Sequence, residues 1–261
     1  MPRMRIATWN INGLNARLDF VTLWLERRQP DVVGLQELKT QTERFPHEVF
    51  RDLGYYALVH GEKAWNGVAV LSREPAEEVH RGLDGQADFG ARLLTARVRG
   101  LVFETVYCPN GKTVEHADFP RKLAWFDALA EHWRRHHDAG SAAVLCGDFN
   151  VVPDPQDSWR GASGDGGIFH TDEERARFRA LTGLGLYDLY RERYPDGRDF
   201  SWWDYRGGSF HRGHGLRIDL LLGTGAVRDR TKDVVIDRDF RKKQDGLTAS
   251  DHAPVWVDLE D

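Results

Sequence analysis

Covalent staples and membrane anchors are what this sequence has least of. Two cysteines, Cys108 and Cys146, in 261 residues are too few for a disulfide framework. They read as small buried hydrophobes in a reducing compartment. A chain of this length buries roughly 75% of its unfolded surface and needs no covalent cross-link. No apolar run approaches the ~18 residues of a membrane span. The stretch Met1-Pro-Arg-Met-Arg-Ile6 has none of the apolar character of a secretion signal, so the expected location is the cytoplasm. Excess positive charge is also missing: 36 Lys and Arg against 41 Asp and Glu leave −5. That excludes a basic coat over the whole surface but not a local basic face. Internal repeats and low-complexity tracts are absent.

What is present is a succession of short apolar runs rich in Val, Ile, Leu and aromatics, bounded by Gly, Asp or Asn, which predict strands. They fall at 5–9, 31–35, 55–59, 67–71, 93–98, 101–107, 142–146, 218–222, 234–236 and 253–259. Arg99-Gly100 predicts a hairpin between the fifth and sixth. Helical spacing places Phe20, Leu23 and Trp24 on one face before Pro30, and Leu123, Phe126, Leu129, Ala130 and Trp133 on another after Pro120. Thr171 with Glu174 predicts a capping box, closed by Gly183 or Gly185. The Gly- and Asp-rich stretch 154–167 reads as a long surface loop. Alternating strands and helices over the whole length predict one α/β domain, 1–261, of layered sheets covered by helices.

Polar residues recur at the ends of these strands. Asn10 follows the first, Glu37 the second, and Tyr107 and Asn110 the hairpin. Asp148 and Asn150 end the 142–146 run, Asp219 enters another, and Asp251-His252 precedes the last. Alone, Gly-Asp-Phe-Asn or Pro-Asn-Gly reads as a turn. Independent turns have no reason to carry carboxylate, amide, phenol and imidazole together at six strand ends. Glu37 and Asp251, with the amide oxygen of Asn10, are ligands of the kind Mg²⁺ takes, and no Cys/His spacing suits zinc. Asp148 is a proton acceptor for water, and Asn110 and Asn150 are neutral donors for phosphate oxygens. Asp219 would fix the tautomer of His252. The set suits metal-assisted attack of water on a phosphodiester. Arg206–Arg217, with three Arg including Arg212, two His, four Gly and Phe210, suits phosphate contact and wedging into a duplex. Arg92 and the Arg241-Lys242-Lys243 run are further phosphate candidates, though a charge run is usually a solvated face.

Seven motifs, in order along the chain, carry a resemblance. They are Trp9-Asn-Ile-Asn-Gly13, Leu35-Gln-Glu-Leu-Lys39, Tyr107-Cys-Pro-Asn-Gly111, Gly147-Asp-Phe-Asn150, Ser201-Trp-Trp-Asp-Tyr-Arg206, Gly215-Leu-Arg-Ile-Asp-Leu-Leu-Leu222 and Ser250-Asp-His-Ala-Pro-Val255. The chain resembles the exonuclease III and abasic-site endonuclease family within the endonuclease/exonuclease/phosphatase superfamily, over residues 4 to about 257. The resemblance implies a four-layer α/β sandwich of the deoxyribonuclease I kind, two packed mixed sheets flanked by helices. It implies Glu37 and Asn10 as ligands of Mg²⁺, with Mn²⁺ as substitute, and Asp251 as ligand or ligand-orienting group. Asp148 would activate or position water, Asn150 would orient it, and Tyr107, Asn110 and the His252–Asp219 pair would hold the scissile phosphate. Lys39 would neighbour Glu37, and Trp202 would pack against an unstacked nucleotide or abasic sugar.

The implied activity is incision of double-stranded DNA 5′ to abasic sites, removal of 3′-blocking groups and 3′→5′ exonuclease action, by a monomer at the nucleoid. An abasic nucleotide has lost pairing and stacking, so extruding it costs less than flipping a normal base. Two alternatives stand beside this: a superfamily phosphodiesterase without abasic-site specificity, acting on nucleic acid or phospholipid, and an inactive DNA-binding relative. The residues leave open whether Asp148 or His252 takes the proton, and whether one or two metal ions act. Two stretches depart from the family pattern. Gly13-Leu-Asn-Ala-Arg17 shifts or loses a phosphate contact, and Lys63-Ala-Trp-Asn-Gly67 replaces a Tyr/His-Gly pattern.

Overall fold

Period-two alternation along the central strands decides how the sheets stack. In the computed structural model, which describes residues 3–138 and 140–260, the first sheet has the order β11-β12-β1-β2-β4-β3. Met1 and Pro2, the start of the N-terminal stretch read above, lie outside the described residues. Its strands are β1 (Arg3–Asn10), β2 (Val32–Gln36), β3 (Tyr56–His60), β4 (Val68–Ser72), β11 (Thr231–Ile236) and β12 (Val255–Glu260). The second sheet, β5-β6-β7-β8-β10-β9, comprises β5 (Glu77–Arg81), β6 (Leu93–Val98), β7 (Leu101–Tyr107), β8 (Ala143–Asp148), β9 (Leu186–Asp188) and β10 (Asp219–Thr224). Each sheet has one parallel pair, β1–β2 in the first and β7–β8 in the second, with antiparallel neighbours outward.

Three apolar layers make a four-layer sandwich. Ile6, Val32, Val70, Leu94, Phe103, Val144 and Val257 meet between the sheets. Ala7, Trp9, Val33 and Leu35 point the other way, under Phe20, Val21, Trp24 and Leu25 of helix α1 (Leu14–Arg28) and Phe50 of α2 (His47–Asp52). Val102, Val106, Ala143 and Leu145 lie under Trp125, Phe126, Leu129 and Trp133 of α3 (Asp118–His136) and Phe178 and Leu181 of α4 (Asp172–Thr182). The inward faces turn polar toward one rim. After Met4 and Ile6 on β1 come Thr8 and Asn10, after Phe103 on β7 come Thr105 and Tyr107, and after Cys146 on β8 comes Asp148. Gln36 Nε2 ties the two sheets there, donating to Thr8 Oγ1 (2.9 Å) and Thr105 Oγ1 (2.8 Å). Gly34 is required at this approach, because a Cβ would lie 2.5 Å from Thr105 Oγ1.

The hairpin turn at Arg99-Gly100 forms, with φ +50° and +78°, the left-handed pair that two-residue hairpins need. The Thr171–Glu174 capping box forms too, with Gly183 as C-cap. Cys108 and Cys146 are free and buried. No helix of the described residues is long and apolar enough to cross a membrane. Two strands were not foreseen. β5 reads Glu-Glu-Val-His-Arg, a mostly exposed edge strand without an apolar signature, and β9 spans three residues. The 154–167 loop is less superficial than expected, for it places Asp157, buried, against the guanidiniums of Arg217 (2.7 Å) and Arg191 (2.5 Å).

Candidate active site

Parallel pairing aligns the ends of four central strands. Asn10 is opposite Gln36, Tyr107 opposite Asp148, and Asp148 opposite Asp219 on the antiparallel β10. β12 runs antiparallel to β1, so the residues just before it, Ser250 to His252, reach the same rim. Gly147 permits the step into Asp148. Its φ is +146°, and a Cβ would fall 1.9 Å from the Val106 carbonyl oxygen. Asn12, Glu37, Lys39 and Asn150, with φ between +48° and +54°, hold the left-handed backbone region. Non-glycine residues adopt it at a cost, and such residues cluster where function needs the side-chain direction.

The side chains interlock. Asn10 Nδ2 donates to Glu37 Oε1 (2.8 Å) and Asp148 Oδ2 (2.9 Å), bridging the two carboxylates. Asp148 Oδ1 accepts the Asn150 backbone N–H (2.9 Å). Asn150 Nδ2 donates to the Cys108 carbonyl (3.0 Å), and Asn110 Nδ2 to Asn150 Oδ1 (3.5 Å). His252 Nδ1 pairs with Asp219 (2.9 Å), leaving Nε2 3.9 Å from Asp148 Oδ2. Ser201 Oγ in turn donates to Asp219 Oδ2 (2.6 Å). Asp251 accepts from Trp202 Nε1 (3.0 Å) and Asn12 Nδ2 (2.9 Å). Lys39 Nζ lies 2.9 Å from Glu37 Oε2 and 2.6 Å from Asn12 Oδ1.

Burial and these partners set the charges. Burial pushes the Asp148 carboxyl well up, and the nearby Asp219 and Glu37 add to it against the pull of His252. Burial alone would lower His252, but Asp219 reverses that and keeps the ring an imidazolium above its ordinary range. Glu37 is also penalised by burial, yet the Asn10 hydrogen bond and the Lys39 ammonium hold it below the usual carboxylate value. Asp251 is held low by His252, Trp202 and Asn12 against its own burial. Burial, then Glu37 and Asp148, keep the Tyr107 phenol protonated. The rim therefore offers an ionised carboxylate, a buried carboxylate whose ionisation is disfavoured, an imidazolium and neutral donors. Ligand atoms of Glu37, Asp148 and His252 lie within 4.8 Å of one another. Two carboxylates whose oxygens converge this closely fit a hard divalent cation; the imidazolium fits an anion instead.

Several expected roles look different in place. Asn10 turns its amide oxygen to the Asn12 N–H (3.0 Å) and its nitrogen to the carboxylates, because these flank it on both sides. Both oxygens of Asp251 are taken by neighbours, the geometry of an orienting group. Arg92 spends its guanidinium on the Phe89 and Tyr107 carbonyls and stacks over the Tyr107 ring at 4.6 Å. Arg241 is buried, donating to the Asp251 and Trp203 carbonyls. Arg206 folds onto Asp204 at the surface, and neither it nor exposed Arg212 hydrogen-bonds to the cluster among the described residues. The departing Arg17 is nearby, donating to the Asn12 carbonyl and to Tyr205 Oη (3.0 Å). In the other departing stretch, the Asn66 carbonyl accepts the Lys39 N–H (2.9 Å), and Trp65 is 71% exposed. Beside Trp202 opens a cleft of about 330 Å³ lined by Trp159, Phe169, His170, His214 and Leu216.

Sequence reading missed Asn12, Ser201 and Lys122. Lys122 lies on the buried stripe of α3, three residues before Trp125, and a lysine in that register was the available signal. Its ammonium donates to the Asn150 carbonyl (2.7 Å) and the Asn110 carbonyl (3.2 Å) and pairs with Glu174. Lys122→Met strands the buried Glu174 charge, and breaking such a pair costs about 3–5 kcal/mol. Chemical denaturation should show that loss, with part of it restored in Lys122→Met/Glu174→Gln. An undiminished midpoint for the single variant would mean the pair holds nothing in place.

Residues 7–252 match the model of the Endonuclease/Exonuclease/phosphatase family. Exodeoxyribonuclease III of Haemophilus influenzae is 34% identical over 270 residues, covering 98% of this chain and 100% of that protein. An AP endonuclease from Archaeoglobus fulgidus superposes with a TM-score of 0.94 at 32% identity, covering 99% of this chain and 100% of that one. A 3′ phosphatase from Neisseria, solved bound to a product DNA hairpin, superposes with a TM-score of 0.93 at 37% identity, over 98% and 99% of the two chains.

Proposed function

The chain belongs to the endonuclease/exonuclease/phosphatase family, and from that membership we propose that it is a Mg²⁺-dependent DNA repair nuclease. It cuts the phosphodiester 5′ to abasic sites, removes 3′-blocking groups and degrades duplex DNA 3′→5′. The observation that carries this reading is the buried Asp148 carboxylate 3.9 Å from Nε2 of buried His252, whose Nδ1 is paired with Asp219. Of Asp148 and His252, only Asp148 has room for a proton, so it takes the one released by the attacking water while Asn150 holds that water's direction. His252, kept charged by Asp219, holds a non-bridging phosphate oxygen together with the Tyr107 hydroxyl and Asn110. Glu37 would hold the metal, with Asn10 and Lys39 fixing its carboxylate. When bound there, Mg²⁺ supplies Lewis-acid polarisation of the phosphate and offsets the charge that builds in the transition state.

The cleft beside Trp202 is apolar on several sides and suits an extruded sugar without its base. Exposed Trp159 lines that cleft as a surface for stacking or wedging. In this reading the chain works as one domain and as a monomer, on nucleoid DNA in the cytoplasm, with Mn²⁺ able to replace Mg²⁺.

Glu37→Gln should raise the half-saturating Mg²⁺ concentration by about 10- to 100-fold, because the cation loses its anionic ligand. An unchanged Mg²⁺ titration removes Glu37 from the ligand set. The activity itself is tested on labelled duplexes carrying an abasic analogue, a 3′-phosphate or neither, with Mg²⁺ and with EDTA. A single Mg²⁺-dependent cut 5′ to the lesion, together with 3′-phosphate removal, supports the assignment. Equal internal cutting of damaged and undamaged duplexes identifies a phosphodiesterase without abasic-site specificity.

A further inference from the structure

Four of the chain's eleven histidines gather far from this rim, on the outer face of the second sheet. Glu104 sits there between Val102 and Val106, an acid on an otherwise apolar face of β7, covered by the last turns of α3. His132 Nε2 and His137 Nε2 lie 3.1 and 3.2 Å from Glu104 Oε2. The three side chains are 4%, 3% and 0% exposed, and their ligand atoms lie within 4.8 Å of one another. A cross-strand row continues the site outward, with Thr95 opposite Glu104 and His80 opposite Thr95. His80 Nε2 is 3.0 Å from His136 Nδ1, and both rings border His132, at 5.1 and 4.7 Å between centroids.

The hydrogen bonding around Glu104 is lopsided. Thr95 Oγ1 (2.6 Å) and both imidazoles crowd Oε2, while Oε1 is buried with no partner. Buried polar atoms are nearly always satisfied, and an orphan one asks for an explanation. Two imidazoles aimed by their Nε2 atoms at one carboxylate, with two more imidazoles at the opening, are the donor set of a metal centre, and a carboxylate bound through both oxygens would give Oε1 a partner. Trp133 stacks on His137 at 3.9 Å and holds that ring's direction.

We propose that Glu104, His132 and His137 form a second metal site, for a borderline transition cation of the Zn²⁺ class, with His80 or His136 or water completing the coordination. Two nitrogen donors and one carboxylate suit Zn²⁺ or Co²⁺ and disfavour Mg²⁺, which takes oxygen ligands. Glu104 precedes Tyr107 by three residues on one strand, roughly 10 Å at the usual rise, so the ion stands outside the reaction. Its effect is structural: it pins the C-terminal end of α3 to the middle of β6–β7.

The test uses the full-length protein, stripped with chelator and held in saturating Mg²⁺, then titrated calorimetrically with Zn²⁺ and optically with Co²⁺. Wild type and Glu37→Gln should each bind one equivalent of Zn²⁺. Binding should weaken at least about 100-fold in His132→Gln/His137→Gln, with the Co²⁺ visible bands lost and nuclease activity kept. Zn²⁺ should raise the Tm of wild type by a few degrees and leave that of the double variant unmoved. Should the double variant not fold, ¹⁵N spectra of wild-type histidine rings read the same site: one equivalent of Zn²⁺ shifts the Nε2 signals of two rings, and a third ring where His80 or His136 completes the coordination. Zn²⁺ binding that survives the histidine changes, binding lost in Glu37→Gln alone, or ring signals that do not shift each overturn the proposal.

Discussion

Asp148→Asn should lower kcat by about 10³- to 10⁴-fold while affinity for duplex DNA stays near that of the wild type. Loss of a positioned base typically removes 10²–10⁴ of rate, and Asp148 also supplies the charge that steadies the imidazolium of His252, 3.9 Å away. Asparagine retains an oxygen for the Asn150 backbone N–H, so the loop keeps its shape. The same substitution bears on stability with a defined sign. The Asp148 carboxyl is pushed up by burial, so folding disfavours its ionised form. In the metal-free protein that cost is present above the raised folded value and disappears as pH falls through it. Asp148→Asn should therefore match or exceed the wild-type Tm at neutral and higher pH, with the difference vanishing in acid. Slow turnover with equal or greater stability separates a catalytic charge from a structural one. A variant that cuts at near wild-type rate ends the role assigned to Asp148.

How much of the site is legible in the sequence depends on the kind of information each residue carries. Asn10, Glu37, Asp148, Asp219 and His252 stand at the ends of apolar runs, and strand polarity brings such ends to one rim. That is legible from pattern, as is the Thr171–Glu174 box. Lys122 is different: its register on α3 is visible, but its targets, the carbonyls of Asn110 and Asn150, exist only after α3 docks. Ser201 orients Asp219 from eighteen residues away, by a contact that no local pattern encodes. Charge alone makes Arg92 and Arg241 phosphate candidates, or in the case of Arg241 part of a solvated face; packing turns both onto backbone carbonyls. Charge was visible in the sequence, and the direction of each guanidinium was not. β5 escaped for the converse reason, since an edge strand facing solvent needs no apolar code.

The second large effect concerns His252. His252→Gln should lower kcat by about 10²- to 10³-fold through loss of a charged donor to the phosphate. Asp219→Asn should cost less, about 10-fold or more at neutral pH, and the double variant should be no worse than His252→Gln alone. Two residues acting as one unit give such non-additive cycles. The pH profile carries the sharper information. In the wild type the His252 imidazolium is held above its ordinary range, so the alkaline limb of activity lies high. Without the Asp219 charge, burial is unopposed by its nearest counter-ion and the ring deprotonates at lower pH, so the alkaline limb of Asp219→Asn moves to lower pH. The acid limb, set by Asp148, moves less. Removing the Asp219 charge lowers Asp148 and losing the imidazolium raises it, and the two oppose each other. Stability follows the same sign. A histidine raised in the folded state adds stability below its unfolded value, and that stability is lost as pH rises through the folded one. The wild-type Tm should thus fall on the alkaline side where that of Asp219→Asn stays flat. If the alkaline limb does not move in Asp219→Asn, the aspartate only positions the ring. The charge on His252 then has another source, and the phosphate is held by geometry more than by the ion pair.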